Sequence, residues 1–488
     1  MVSRSQLGSR FRLEFLSTLT GTLSGALLVV VLARLLDPDA YGLLYLTLSV
    51  IGVGKLFAKL GLGRSTARYI AEYKESDPGQ LSHIIRFSAV ISFILMMITS
   101  IIIGVAHQQI ANLIDEPGIA PFLIIGSLFL FFTTLLGFLR KVLQGFEAIK
   151  PAALLSIIQS IGKFGFAVGL TIASFGAIGA LTGYALGSLI ASIVGIFLVY
   201  FRYYRPLDHS ASVESGLRRR IAEYAVPVTA SEAAGNLSGR VDTILVGFFL
   251  NPVAVSYYTV ANQVVTMIQS PVNALGFTLA PTLGAEQSAG NPDRAARIYE
   301  KSFINIMLLY LPASVGLILI AEPLIQLVFG RDYLGAVSVL QVFALYAVVQ
   351  ANLLVSSKGL DFLGRAQTRA IVNGVTSTLN LGLNIVLIPT IGVVGAAIAT
   401  VVTGSMYAMS NIYIIHDELQ LRERYMIKET MKIVIVTSVM GIVVFFLNEY
   451  ISGWFTLFAV VGLGVLICVF LSTVLNIVDI NTIISDLV

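Results

Sequence analysis

Apolar runs recur from one end of this chain to the other, each longer than about 18 residues, the length at which a helix crosses a bilayer. Inside lipid an unpaired peptide group costs several kcal/mol, so runs of this kind must close their own backbone hydrogen bonds as helices. Fourteen are expected, at roughly 13–36, 42–61, 83–106, 119–139, 151–173, 177–201, 221–250, 253–281, 303–320, 336–355, 368–388, 392–415, 433–447 and 454–475. Hydrophobic residues make up 56% of the chain and charged residues 12%, about half the charged share of a soluble domain. The expected fold class is an all-α integral membrane protein.

The turns between these runs repeat. Shifted by 214 positions, Asp37-Pro38 falls on Asn251-Pro252, Glu72 on Glu286, and Asp77-Pro78 on Asn291-Pro292. Gly145-Phe146-Glu147 falls on Gly359-Leu360-Asp361, and two residues later in register Gly176–Ala180 matches Gly392–Ala396. Two six-helix lobes follow, 1–201 and 221–415, joined by a polar connection at 202–220. Six is an even number, so the lobes run the same way up, related by a pseudo-two-fold axis along the membrane normal. The last two helices, within 416–488, have no counterpart. Paired lobes of this kind point to a transporter.

Charge sets the orientation. With a cytoplasmic amino terminus, 25 of the 31 Lys and Arg lie in inner loops and only Arg331 in an outer one, which places both termini in the cytoplasm. The basic balance therefore reports topology, not nucleic-acid binding, and Arg218-Arg219-Arg220 reads as an inner-leaflet anchor. The first apolar run is too long for the core of a signal peptide and lacks a small-x-small exit, so no cleaved leader is expected. A lone Cys468 forms no internal disulfide, the four histidines are scattered, and no phosphate-binding G-x-x-x-x-G-K-[ST] motif occurs. No metal site, cofactor or ATP hydrolysis is expected.

Function is sought in polar side chains placed where lipid makes them expensive, about 2.5–3.5 kcal/mol for a charge at mid-bilayer. Lys55 and Lys59 are four apart on one helical face, and the repeat maps them onto Gln269 and Asn273. The eighth expected helix continues that stripe through Asn262; the seventh carries Glu232, Asn236 and Arg240. Glu232 and Arg240 stand about 12 Å apart along the axis, too far for an ion pair, and Asp242 points nearly opposite to Arg240. Lys55, Lys59 and Arg240 outweigh Glu232, so a cavity lined by them is net positive and suits a phosphate or diphosphate. Asn236, Asn262, Gln269 and Asn273 are candidates for sugar hydroxyls. Glu232 and Asp242 are candidates for ion coupling, Asp242 alternatively as a structural partner of Lys163. Gln159, Lys163 and Asn373–Asn384 read first as hydrogen-bonding groups inside each lobe.

The hairpin Ala33–Gly42, the segments Arg240–Gly247 and Val255–Ala261, and above all Asn384-Ile-Val-Leu-Ile-Pro389-Thr-Ile-Gly392 through Thr400 resemble the Wzx-like polysaccharide flippases, a branch of the multidrug/oligosaccharidyl-lipid/polysaccharide exporter superfamily. The resemblance spans about Arg34 to Thr400. It implies two lobes around a central cavity that opens alternately inward and outward. It also implies transfer of isoprenoid (pyro)phosphate-linked oligosaccharide from the cytoplasmic to the outer leaflet, driven by voltage or by Na+ or H+, alongside glycan-assembly membrane enzymes. Arg34 matches the family's first-hairpin arginine, at the outer end, for gating or packing or, equally, for substrate contact. Some multidrug relatives carry a proton-sensing acid within helix one; here Glu14 lies only at its inner edge. The sequence reading is thus a non-enzymatic flippase of the cytoplasmic membrane. Its rivals are a cation-coupled multidrug antiporter of the same fold, a lipid II-type flippase and a non-transporting scaffold for glycan assembly.

Overall fold

The computed structural model of the protein describes residues 4–236, 238–269, 285, 286, 289 and 291–477. Asp37 and Pro38 act as their chemistry dictates: proline suits the first turn of a helix, and the Asp37 carboxylate accepts from the Ala40 amide at 2.8 Å. The repeat-equivalent Asn251 does the same, its Oδ1 accepting from the Ala254 amide at 2.9 Å. These caps separate α1 (Arg4–Leu35) from α2 (Pro38–Lys59), and start α11 below.

α2 stops at Leu60 and Gly61, two successive left-handed residues with φ of 36° and 64°. α3 (Leu62–Ser76) follows, too polar to cross lipid; Leu62, Ser65, Thr66, Tyr69, Ile70 and Tyr73 form its buried face at helical spacing. Then come α4 (Leu81–Val105), the short α5 (His107–Leu113), α6 (Ala120–Gly145), α7 (Ile149–Leu170) and α8 (Gly176–Val199). α9 (Leu217–Asn236), α10 (Ser238–Phe249) and α11 (Pro252–Ile268) complete the run to the first undescribed stretch. Beyond it lie α12 (Pro292–Leu319), α13 (Ala321–Val328), α14 (Ala336–Phe362), α15 (Ala366–Ile391), α16 (Val393–Leu419), α17 (Glu423–Asn448) and α18 (Trp454–Val474).

Ten described helical segments are long and apolar enough to cross a membrane, and one of them, Ile149–Tyr204, contains both α7 and α8. The expected seventh crossing corresponds to α9 and α10; the expected eighth begins with α11 and continues outside the described residues. Large apolar side chains face outward, Phe446, Phe455 and Phe470 among them, as lipid rather than water requires. This is the all-α membrane architecture the apolar runs dictate.

The chain divides into two compact units, Met1–Ser256 and Tyr257–Val488. In the first, α7 and α8 approach closely because α8 is lined with glycine: a Cβ on Gly183 or Gly187 would strike the backbone of Ala167 or Lys163. α10 lies on α2, where a Cβ on Gly247 would meet Leu46. In the second unit α14, α15 and α16 pack together, and α17 and α18 attach through α12 and each other, around Ile320, Met440, Val444 and Leu457.

The repeat is visible in backbone conformation. Gly176, before α8, has φ 54° and ψ −146°; Gly392, before α16, has φ 70° and ψ −152°. Few side chains tolerate that region, so glycine is needed at both turns. Three residues on, Gly179 and Gly395 each sit against the backbone of the preceding helix, at Leu170 and Leu387.

Candidate functional site

Arg240 projects from the first turn of α10 toward α2. A Cβ on Gly52 would come within 2.9 Å of the Arg240 Cδ and Nε, so the absence of a side chain there makes room for the guanidinium. Lys55 follows three residues later on α2, and its ammonium stands 4.4 Å from the centre of the Phe129 ring on α6. Lys163, from α7, stands 4.5 Å over the Tyr184 ring on α8. Phe129 and Tyr184 are edge-on at 5.8 Å, joining the two ammonium groups through one aromatic pair. Tyr45, its ring tilted against that of Tyr41 at 4.6 Å, lies within electrostatic reach of Tyr184 and Arg240.

Lys59, Arg240 and Lys163 each repel the Lys55 ammonium, so four cations share one region of the first unit. Among the described residues none of the four has a carboxylate within ion-pair distance. The cations of the connecting segments behave otherwise. Arg422 bonds the fully buried Glu300 at 2.5 Å, Arg220 meets Glu214 at 2.5 Å, and Arg369 meets Asp361 at 2.7 Å. Ring faces offer a buried cation about 0.5–2 kcal/mol, much less than a carboxylate would, and leave the charge available to an anion.

Of the residues expected from sequence, Arg240, Lys55 and Lys59 come together. Lys59 is exposed at the end of α2, while Lys55 is half-buried. Asp242 is buried on α10, 2% exposed. Arg34 is exposed in the last turn of α1. Gln269, also buried, donates through Nε2 to Gln350, and the carboxamide oxygen of Asn262 accepts from Thr266 at 3.1 Å. The side chains of Glu232 and Asn236, and residue Asn273 altogether, lie outside the described residues. Gln159 bonds Ser188 at 3.1 Å, and Asn384 bonds Asn380, which bonds Thr403, as expected of groups that hold a helix bundle together.

The aromatic partners were not anticipated. Tyr45, Gly52 and Lys59 are spaced by sevens and Tyr41 and Lys55 follow the same face of α2, so a stripe was legible there. Phe129 and Tyr184 carry no such mark among many apolar neighbours.

A family model described as polysaccharide biosynthesis protein matches residues 13–287, more than half of the chain. The chain belongs to the polysaccharide biosynthesis protein family. A second model, MatE, matches residues 227–386. Within the curated relatives, the chain is 22% identical over 80% of both lengths to the "probable low-salt glycan biosynthesis flippase Agl15" of Haloferax volcanii. It is 23% identical over 92% of both to an uncharacterized membrane protein of Methanocaldococcus jannaschii. In fold this family member is similar to the lipid II flippase MurJ in an inward closed conformation, with a TM-score of 0.77 at 17% identity, covering 95% of this chain and 98% of that one. An inward-facing multidrug resistance MATE family transporter aligns with a TM-score of 0.68, covering 82% and 94%.

Proposed function

We propose that this protein is a flippase moving an isoprenoid (pyro)phosphate-linked oligosaccharide from the cytoplasmic to the outer leaflet for surface polysaccharide or glycan assembly. The observation that carries the reading is the grouping of Lys55, Lys59, Lys163 and Arg240, with Lys55 and Lys163 seated on aromatic rings and none of the four on a carboxylate among the described residues. Charge-assisted hydrogen bonds from such a set suit a diphosphate; a site for cationic drugs needs the opposite sign. The membership of the family and the named activities of its relatives support the same class.

In this reading Arg240, Lys55 and Lys59 hold the phosphate, while Asn236, Asn262, Gln269 and Asn273 bond sugar hydroxyls. Glu232, Asp242 and Arg34 serve coupling or gating. The lobes 1–201 and 221–415, joined through 202–220, alternate between inward- and outward-open states while the lipid tail stays in the bilayer. Both termini are cytoplasmic, the chain is not an enzyme, and Na+ or H+ or voltage alone supplies the drive.

The test is leaflet exchange of a fluorescent polyprenyl-diphosphate oligosaccharide in vesicles containing the purified protein. Arg240→Ala should reduce exchange by about 10- to 100-fold, the loss expected of one charged hydrogen-bonding partner, while the protein inserts and elutes as wild type. Exchange at the wild-type rate in that variant would remove Arg240 from the mechanism.

A further inference from the structure

Membrane-anchoring charge is expected at Arg218-Arg219-Arg220, yet these side chains have partners within the protein. Arg219 meets Glu223 at 2.6 Å, Arg220 meets Glu214 at 2.5 Å, and Arg218 lies 5.9 Å over the Phe87 ring of α4. Uncompensated charge stands instead just upstream, where α8 ends. Arg202 and Arg205 are exposed, and among the described residues neither has a carboxylate within ion-pair distance. Asp208, three residues on, turns its Oδ1 to the Ser210 amide and hydroxyl at 2.8 and 2.6 Å.

α8 is 24 residues long, about 36 Å at 1.5 Å per residue, against a hydrocarbon core of about 30 Å. Its end therefore emerges at headgroup depth. There the chain makes one wide π-helical turn, Tyr200–Tyr204, with the Arg205 amide donating to the Tyr200 carbonyl at 2.8 Å. Rings crowd this turn. Phe197 and Phe201 stack at 6.0 Å, and Tyr200 meets Phe201 edge-on at 5.1 Å. Phe197, Tyr200 and Phe201 are 59%, 48% and 52% exposed, whereas Tyr203 packs on Phe146 at 5.1 Å, which holds the turn against the residue that ends α6. Three open rings beside two bare guanidinium groups offer a soluble anion nothing beyond the charge. They match a molecule with an acidic head and an apolar body lying at the interface.

We propose that the end of α8 is a docking surface for an acidic phospholipid. Arg202 and Arg205, three apart and so neighbours on the turn, hold the phosphate through paired guanidinium donors. Phe197, Tyr200 and Phe201 carry the glycerol and the upper acyl chain. The surface stands whether or not the transport reading holds, because it lies within the first unit alone and uses none of the four cations around Lys55.

The test uses the full-length protein in detergent. Phosphatidylglycerol and phosphatidylcholine are compared by native mass spectrometry, and a photoreactive phosphatidylglycerol is mapped by the peptides it labels. Phosphatidylglycerol should be retained in preference and in a salt-sensitive way, and its label should fall within 197–209. Arg202→Gln with Arg205→Gln should weaken retention about 10- to 30-fold, the loss of two interfacial cations, while Arg202→Lys with Arg205→Lys keeps most of it. A well-folded Gln variant that binds as wild type overturns the proposal, as does equal retention of the two lipids or a label confined to other helices. Competition by inorganic phosphate at the same concentration as the lipid would make this a bare-anion site and overturn it too. Should the Gln variant fold poorly, the position of the label on the unaltered protein decides.

Discussion

At the scale of single residues, the informative groups are those whose charge is compensated by rings. Lys55 sits over Phe129 and is repelled by Lys59, Lys163 and Arg240. If its role were only to hold the fold, Lys55→Met would destabilise the protein. The arrangement predicts otherwise: methionine keeps contact with the ring, removes like-charge repulsion and should leave the thermal midpoint unchanged or raised. Glycan-lipid exchange should nonetheless fall about 10- to 100-fold. The contrasting outcomes are read from one preparation, by a melting curve and a vesicle assay. The cations were legible in the sequence because lipid makes a charge conspicuous. Their partners were not, because Phe and Tyr are ordinary in apolar helices and only the fold shows which ring a cation covers.

Between elements, close approaches replace chemistry. Gly52 admits Arg240 between α2 and α10, so Gly52→Val should displace the guanidinium without deleting it, lowering exchange nearly as far as Arg240→Ala does. A Gly52→Val protein with full exchange would show that α10 is free to shift. The connection between α8 and α9 is tied differently. Tyr73 donates to Glu214 at 2.5 Å, and Arg220 donates to both at 2.9 and 2.5 Å. The hydrogen bond from Tyr73, and after it Arg220, holds the Glu214 carboxyl below the usual carboxylate range. A depressed value means the tie is fully formed above the unfolded carboxylate value, about 4.3, and is lost as pH falls through the folded one. Hydrogen exchange across 206–217 should therefore stay slow at neutral pH and accelerate only once pH falls below the unfolded carboxylate value, after correction for intrinsic rates. Tyr73→Phe should move that onset upward. The turns themselves were readable: an Asp-Pro or Asn-Pro pair caps a helix and a paired glycine permits a positive φ, so the repeat exposed α2, α8, α11 and α16 in outline. The seating of α9 and α10 on α2 and α3 left no such mark, because a repeat records equivalence and not which faces touch.

For the whole molecule, the outward passage of an anionic headgroup down an inside-negative potential gains about 2.3 kcal/mol per charge per 100 mV. Vesicles carrying a valinomycin-imposed, inside-negative potassium potential should exchange the glycan lipid faster than unpolarised ones, and a reversed potential should slow it. Indifference to voltage would leave an ion gradient as the drive. The aromatic seats of Lys55 and Lys163 bear on the empty half of the cycle. Rings soothe a cation without cancelling it, so on the proposed reading the vacated protein is left electropositive once cargo departs, and a potential that drives the headgroup outward would also draw the bare carrier home.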